Sequence, residues 1–221
     1  MIISLISNVF TCVCAFIGFI YGIIKFFKPK KAIYSQMITL AVGCMAFGRL
    51  YQTVRLLTGG SIVNEFQLGV FGVIGSLMFL FSANFGAMDS IADDGSKKLR
   101  KYRIISLSAP IAMIALYLIF ICFSSLPMLT KVAGGVVVFF AVQASYYNLK
   151  HLIFPDVDFG IINCIKIYNC LALIYSFLCI AEFIAISRES EAGTLIIGVV
   201  MGIVLLALVP TLERGMKRCT I

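Results

Sequence analysis

Residues 192–211 read AGTLIIGVVMGIVLLALVPT, twenty positions without a charge. A helix rises 1.5 Å per residue, so about 20 apolar residues cross the roughly 30 Å hydrocarbon core of a bilayer. The run is continuous rather than alternating, which is the pattern of a spanning helix and not of a barrel strand. Six more stretches upstream pass the same test: 2–26, 33–57, 67–89, 104–124, 128–149 and 160–186. Short connectors join them and leave no room for a soluble domain. The sequence therefore predicts an all-α, polytopic membrane bundle of seven transmembrane helices, a single domain over 1–221.

Composition agrees. Of 221 residues 61% are hydrophobic and only 13% charged, about half the charge that covers a soluble domain. The net charge of +8 is then not a nucleic-acid footprint, because Lys and Arg gather on the cytoplasmic side of membrane proteins. Thirteen of the eighteen cations fall in the connectors after the first, third and fifth spans and in the tail, and three on the opposite side. This bias predicts an outside N-terminus and a cytoplasmic C-terminus, in the cell membrane. The first run has no basic residue before it, so it reads as a span rather than a signal peptide. Seven of the eight cysteines lie in apolar runs, where a thiol behaves as a small hydrophobe. The eighth, Cys219, sits in the basic tail and is expected to be unmodified.

The longest hydrophilic run is MDSIADDGSKKLRKYR, residues 88–103. Its aspartates suggest a metal site. CDP-alcohol transferases carry an Asp-rich motif that holds two metal ions, but that motif needs an Asp three residues before Asp94, and Ile91 stands there. The reading adopted is that Asp89, Asp93 and Asp94 end a helix, with Gly95 as its C-cap. The cations after them should rest against anionic lipid. No metal or other cofactor is expected. With His151 the only histidine, neither a zinc motif nor a Ser-His dyad is available, and no catalytic residue is assigned.

Ionisable groups inside spans usually face the bundle interior. Arg49, Gln52 and Arg55 form a stripe near the outer end of the second span, and Glu65 and Glu182 reach a similar level. They are candidate ligands' partners in an outer vestibule, with Arg49 and Glu182 as an expected ion pair. A second candidate set lies in the inner half: Asn84, Gln143, Tyr147, Lys166 and Asn169. The glycines of the third span, Gly69, Gly72 and Gly75, predict close helix approach and a central place in the bundle.

Seven spans with the N-terminus outside resemble rhodopsins and G-protein-coupled receptors in topology. The seventh, however, has no lysine for a retinal Schiff base. The leading expectation is a receptor- or sensor-like module that binds a small polar or lipidic ligand and acts through a membrane or cytoplasmic signalling partner. The alternative is a small secondary transporter with a 3+1+3 arrangement, a topology similar to that of SWEET sugar transporters. A metal-dependent membrane enzyme is the third. Displacing the chain by 126 residues aligns Tyr21 with Tyr147 and Gly72 with Gly198, an internal similarity little above what so biased a composition gives.

Overall fold

The computed structural model describes residues 2–29, 31–60, 68–124, 127–155, 161–188 and 190–219. The described segments contain the helices α1 (Ile2–Phe26), α2 (Ile33–Leu57), α3 (Gly69–Ala83), α4 (Asp89–Ala92), α5 (Arg100–Ser106), α6 (Ser108–Phe123), α7 (Met128–Ile153), α8 (Ile161–Ser187) and α9 (Glu191–Cys219). Among the described residues seven helical stretches are long and apolar enough to cross a membrane. The third is α3 continued by a π-helical turn, Asn84–Met88, and the fourth is α5 with α6.

Local chemistry sets the ends. α2 closes on Thr58 and Gly59. The Gly59 amide donates to Leu56 O and the Gly60 amide to Arg55 O, and Gly59 takes φ 83, the left-handed residue such a cap requires. α9 opens on Ser190, whose Oγ accepts from the Gly193 amide at 3.2 Å, a serine N-cap. The break at Leu107, between α5 and α6, follows from Pro110. Proline has no N–H to give the Ser106 carbonyl, so the ladder resumes one residue on, from Ile111 to Leu107.

Several boundaries differ from the sequence reading. The third span stops at Met88 and the fourth begins at Lys97. α7 runs four residues further, to Ile153, until Pro155 disfavours helix. α9 continues through Pro210 to Cys219. Leu212 is buried beyond the proline and Lys217 pairs with Glu213 at 2.9 Å, so the basic tail is an amphipathic helix end. Gly95 caps no helix: α4 ends at Ala92 with Asp93 as its C-cap, and Gly95, at φ 76, turns the connector beyond it.

The spans pack as a closed ring in the order α1, α2, α3, α7, α8, α9 and back to α1. α6 stands outside it, against α7 and part of α8. Large apolar side chains clothe the outside: α1 exposes Ile6, Val13, Ile17, Ile20 and Ile24 along one face. Small residues bring the helices together inside. A methyl group at Gly72 would lie 2.6 Å from Gly48 Cα and 2.7 Å from Cys44 O. The close approach expected of α3 is thus made against α2, and α3 is a ring member rather than a central helix. Where α1 meets α9, Ser7 Oγ donates to Thr194 O at 3.0 Å and Thr11 Oγ1 to Gly198 O at 2.9 Å. Hydroxyls that bond across helices in this way hold apolar spans together.

Candidate functional site

The ring encloses buried polar side chains in tiers. The end that carries residues 93–96 and the α9 terminus is here called the basic end. Arg49 lies about 24 Å along α2 from that end. Its side chain is 3% exposed and ion-paired with Glu182 of α8. One Arg49 terminal nitrogen also donates to Asn8 Oδ1 of α1 at 3.0 Å and to Gln52 Oε1 at 3.1 Å. Met201 of α9 contributes its sulfur at 3.1 Å. Four helices therefore converge on one guanidinium. A lone charge here would carry a large desolvation cost, which the carboxylate and the two amide oxygens offset. Among the described residues Arg49 Nε and Thr53 Oγ1 are buried without a hydrogen-bond partner.

One step towards the basic end, Tyr175 of α8 donates to Ser76 of α3 at 2.8 Å. Below it, Tyr34 of α2 donates to Asn84 Oδ1 at 3.0 Å, and Asn84 Nδ2 donates to Asn148 Oδ1 of α7 at 2.6 Å. Asn84 opens the π turn, and such turns collect at functional positions. Asn169 is fully buried on α8.

Ion pairs close the basic end. Asp89 accepts from Lys150 Nζ at 2.5 Å, and His151 Nε2 lies 3.4 Å from the same oxygen. Asp93 takes Lys150 at 2.7 Å and the Arg103 guanidinium in two bonds, at 2.7 and 2.5 Å. The Arg103 bonds hold the Asp93 carboxyl far below the usual carboxylate range. Burial pushes Asp89 up, but the bonds from His151 and Lys150 outweigh it and leave it lowered. Across the ring, Glu213 of α9 accepts from Tyr21 of α1 and pairs with Lys25 of α1 at 3.7 Å.

The predicted outer set is thus partly assembled. Arg49, Gln52 and Glu182 meet. Arg55 turns to Tyr51, 3.5 Å away, and Glu65 lies outside the described residues. Of the inner set, Asn84 joins the buried network. Tyr147 stands in an aromatic group with Phe81 and Phe85, at ring distances of 5.7 and 5.5 Å. Gln143 and Lys166 are half-buried. The sequence reading missed Asn8, Tyr34 and Asn148. For Asn148 a signal existed: Ala141, Ala144 and Ser145 mark the packed face of α7, and Asn148 continues it.

The 88–103 run is corrected in a second respect. Lys97, Lys98, Arg100 and Lys101 are exposed, whereas Arg103, read as lipid-facing, is held by Asp93. Among the described residues no three His, Cys, Asp or Glu side chains converge as a metal site requires. Comparison with protein-family models, with curated proteins and with solved structures finds no match. The class defined here is therefore the coarse one: a seven-helix protein whose architecture suits an integral membrane protein.

Proposed function

We propose that the chain is a small secondary transporter built from two three-span units, α1–α3 and α7–α9, that rock about the buried polar tiers. The carrying observation is the equivalence of the two interfaces between units. In each, an acid at the basic end of a unit's third span holds a lysine on the other unit's first span: Asp89 with Lys150, and Glu213 with Lys25. The helix irregularities correspond as well, since the 126-residue displacement places Asn84, where the π turn begins, on Pro210. α6 is the joining span outside the ring. Parallel units with a site between them are a recurring transporter plan, in which rigid halves expose the site to each side in turn.

On this reading the paired acids and lysines are the cytoplasmic gate, the basic end faces the cytoplasm, and the exposed cations of 97–101 rest on anionic lipid. Ser76 sits between the Arg49 and Asn84 tiers and is 1% exposed, so a cysteine in its place should react with a water-soluble thiol reagent only when a path opens. A cysteine-free protein carrying Ser76→Cys, in sealed vesicles of each orientation, tests this. Alternating access expects modification from both sides. Modification from the far end alone is the receptor-like result and overturns the transport reading, as does modification from neither side.

A further inference from the structure

The tier around Arg49 has one feature that its role as an ion pair leaves unexplained. A guanidinium grips a carboxylate best along the edge formed by Nε and the adjacent terminal nitrogen, in two parallel bonds. Here Glu182 occupies only the terminal nitrogen of that edge, and Nε–H is buried without a partner. Thr53, one turn along the same face of α2 and 9% exposed, is unpartnered too. That is unusual for this chain. Thr11, Thr39, Thr194 and Thr211 each donate to the carbonyl four residues earlier, which is how a buried hydroxyl normally finds an acceptor in a helix. Thr53 leaves the Arg49 carbonyl alone. Two donors of adjacent turns are therefore both unused.

We propose that Arg49 and Thr53 bind the carboxylate of a small monovalent organic anion, which displaces Glu182 from the guanidinium as Glu182 takes up one proton. The proposal rests on the transport reading only for the movement of that anion, and the site itself stands on the geometry. Charge decides the proton. The tier is neutral as built, Arg49 against Glu182. An anion entering alone would leave a net negative charge in a site of low polarity, at a large cost. If the proton goes from bulk water to the Glu182 carboxylate, the site stays neutral throughout. The released Glu182 becomes a neutral acid, and the substrate gains the two-pronged bond. Among the described residues the other titratable groups that face the pair are Cys12 of α1 and Tyr175 and Cys179 of α8. These are thiols and a phenol, neutral in the acid-to-neutral range. α9 presents Met201, and α3 reaches the tier through Ser76 on Tyr175.

The test uses the full chain purified in detergent, with formate, pyruvate and chloride as probes and the melting temperature as readout. Formate and pyruvate are expected to raise it. Their apparent affinity should improve as pH falls, because binding takes up one proton. Glu182→Gln, a shape-conserving stand-in for the protonated acid, should bind at every pH with that dependence gone. Thr53→Val should melt as the parent does and bind pyruvate several-fold more weakly. No stabilisation by formate or pyruvate overturns the proposal. So does a pH dependence that survives in Glu182→Gln, and chloride acting as strongly as pyruvate overturns the carboxylate assignment. Proton-driven uptake of labelled pyruvate into proteoliposomes separates this site from the transport reading. Binding without uptake removes transport and keeps the site. Uptake that Glu182→Gln leaves coupled to protons removes the site and keeps transport.

Discussion

Two buried ion-paired sites set the cost of losing a charge. Arg49 and Glu182 are 3% and 7% exposed, and removing one partner strands the other's charge. Arg49→Ala and Glu182→Ala should each cost about 3–5 kcal/mol. The double variant should cost clearly less than the sum, since it strands neither. Urea unfolding in mild detergent measures the cycle, and additive losses would mean that the pair is not coupled. Asp93 is the second case. Two cations share its carboxylate, so Asp93→Asn should destabilise by about 1.5–3 kcal/mol, the range of hydrogen bonds to charged groups. The effect carries a pH signature. The folded carboxyl titrates below its unfolded value, so its stabilisation is complete above about pH 4 and fades as pH falls through the folded value. An acid titration of the melting temperature should show the wild type losing this margin and Asp93→Asn lacking it. Proximity of Arg49 and Glu182 was readable from the sequence, because counting residues from the span ends puts both at one depth. The clamp on Asp93 was not, since it depends on how α7 and α5 meet the connector.

Among the helices, packing discriminates between glycines that look alike in sequence. A methyl group at Gly72 would lie 2.6 and 2.7 Å from backbone atoms, and one at Gly86 would meet nothing within 4 Å. Overpacking a tight contact costs about 1–3 kcal/mol, so Gly72→Ala should lower the melting temperature and Gly86→Ala should leave it nearly unchanged. Equal losses at both positions would mean that α2 and α3 do not touch as described. Helix existence and length were legible because every span is apolar for most of its course. Which face turns inward was less so. In a span the usual contrast between apolar inside and polar outside is missing, and Gln143, Tyr147 and Lys166 share a helical spacing with the buried set without sharing its face. The π turn at Asn84–Met88 has no signal of its own in composition. The extension of α9 past Pro210 was obscured because the apolar run gives way to charged residues from Glu213 on; the helix nevertheless continues, and Leu212 and Met216 pack beyond the proline.

For the molecule as a whole, orientation and gating are the properties to test. A membrane-impermeant thiol reagent added from outside should label Thr58→Cys in intact cells and reach Ser96→Cys only after permeabilisation, both in a cysteine-free background. The reverse pattern would invert the bundle and make the paired ion bridges an external gate. Neutralising both bridges together, Asp89→Asn with Glu213→Gln, should raise the reactivity of Ser76→Cys from the basic end well above that in either single variant. The ring order lay beyond the sequence. Hydropathy does not say which span stands aside; the 3+1+3 alternative singled out the fourth, and the contacts put α6 outside.

That exclusion of α6 has a consequence in the arithmetic of crossings. Three is odd, so a three-span unit delivers the chain to the side opposite the one where it began. A second unit attached directly would enter the bilayer upside down, and its acids and lysines would face away from those of the first. One additional crossing restores parity. α6 needs only to be helical, apolar and long enough for this, which fits a surface of isoleucine and leucine with few buried positions. Its side chains should accordingly be the most exchangeable of any span: an unrelated apolar helix of equal length should support folding, whereas deleting it should leave α7–α9 inverted or unassembled.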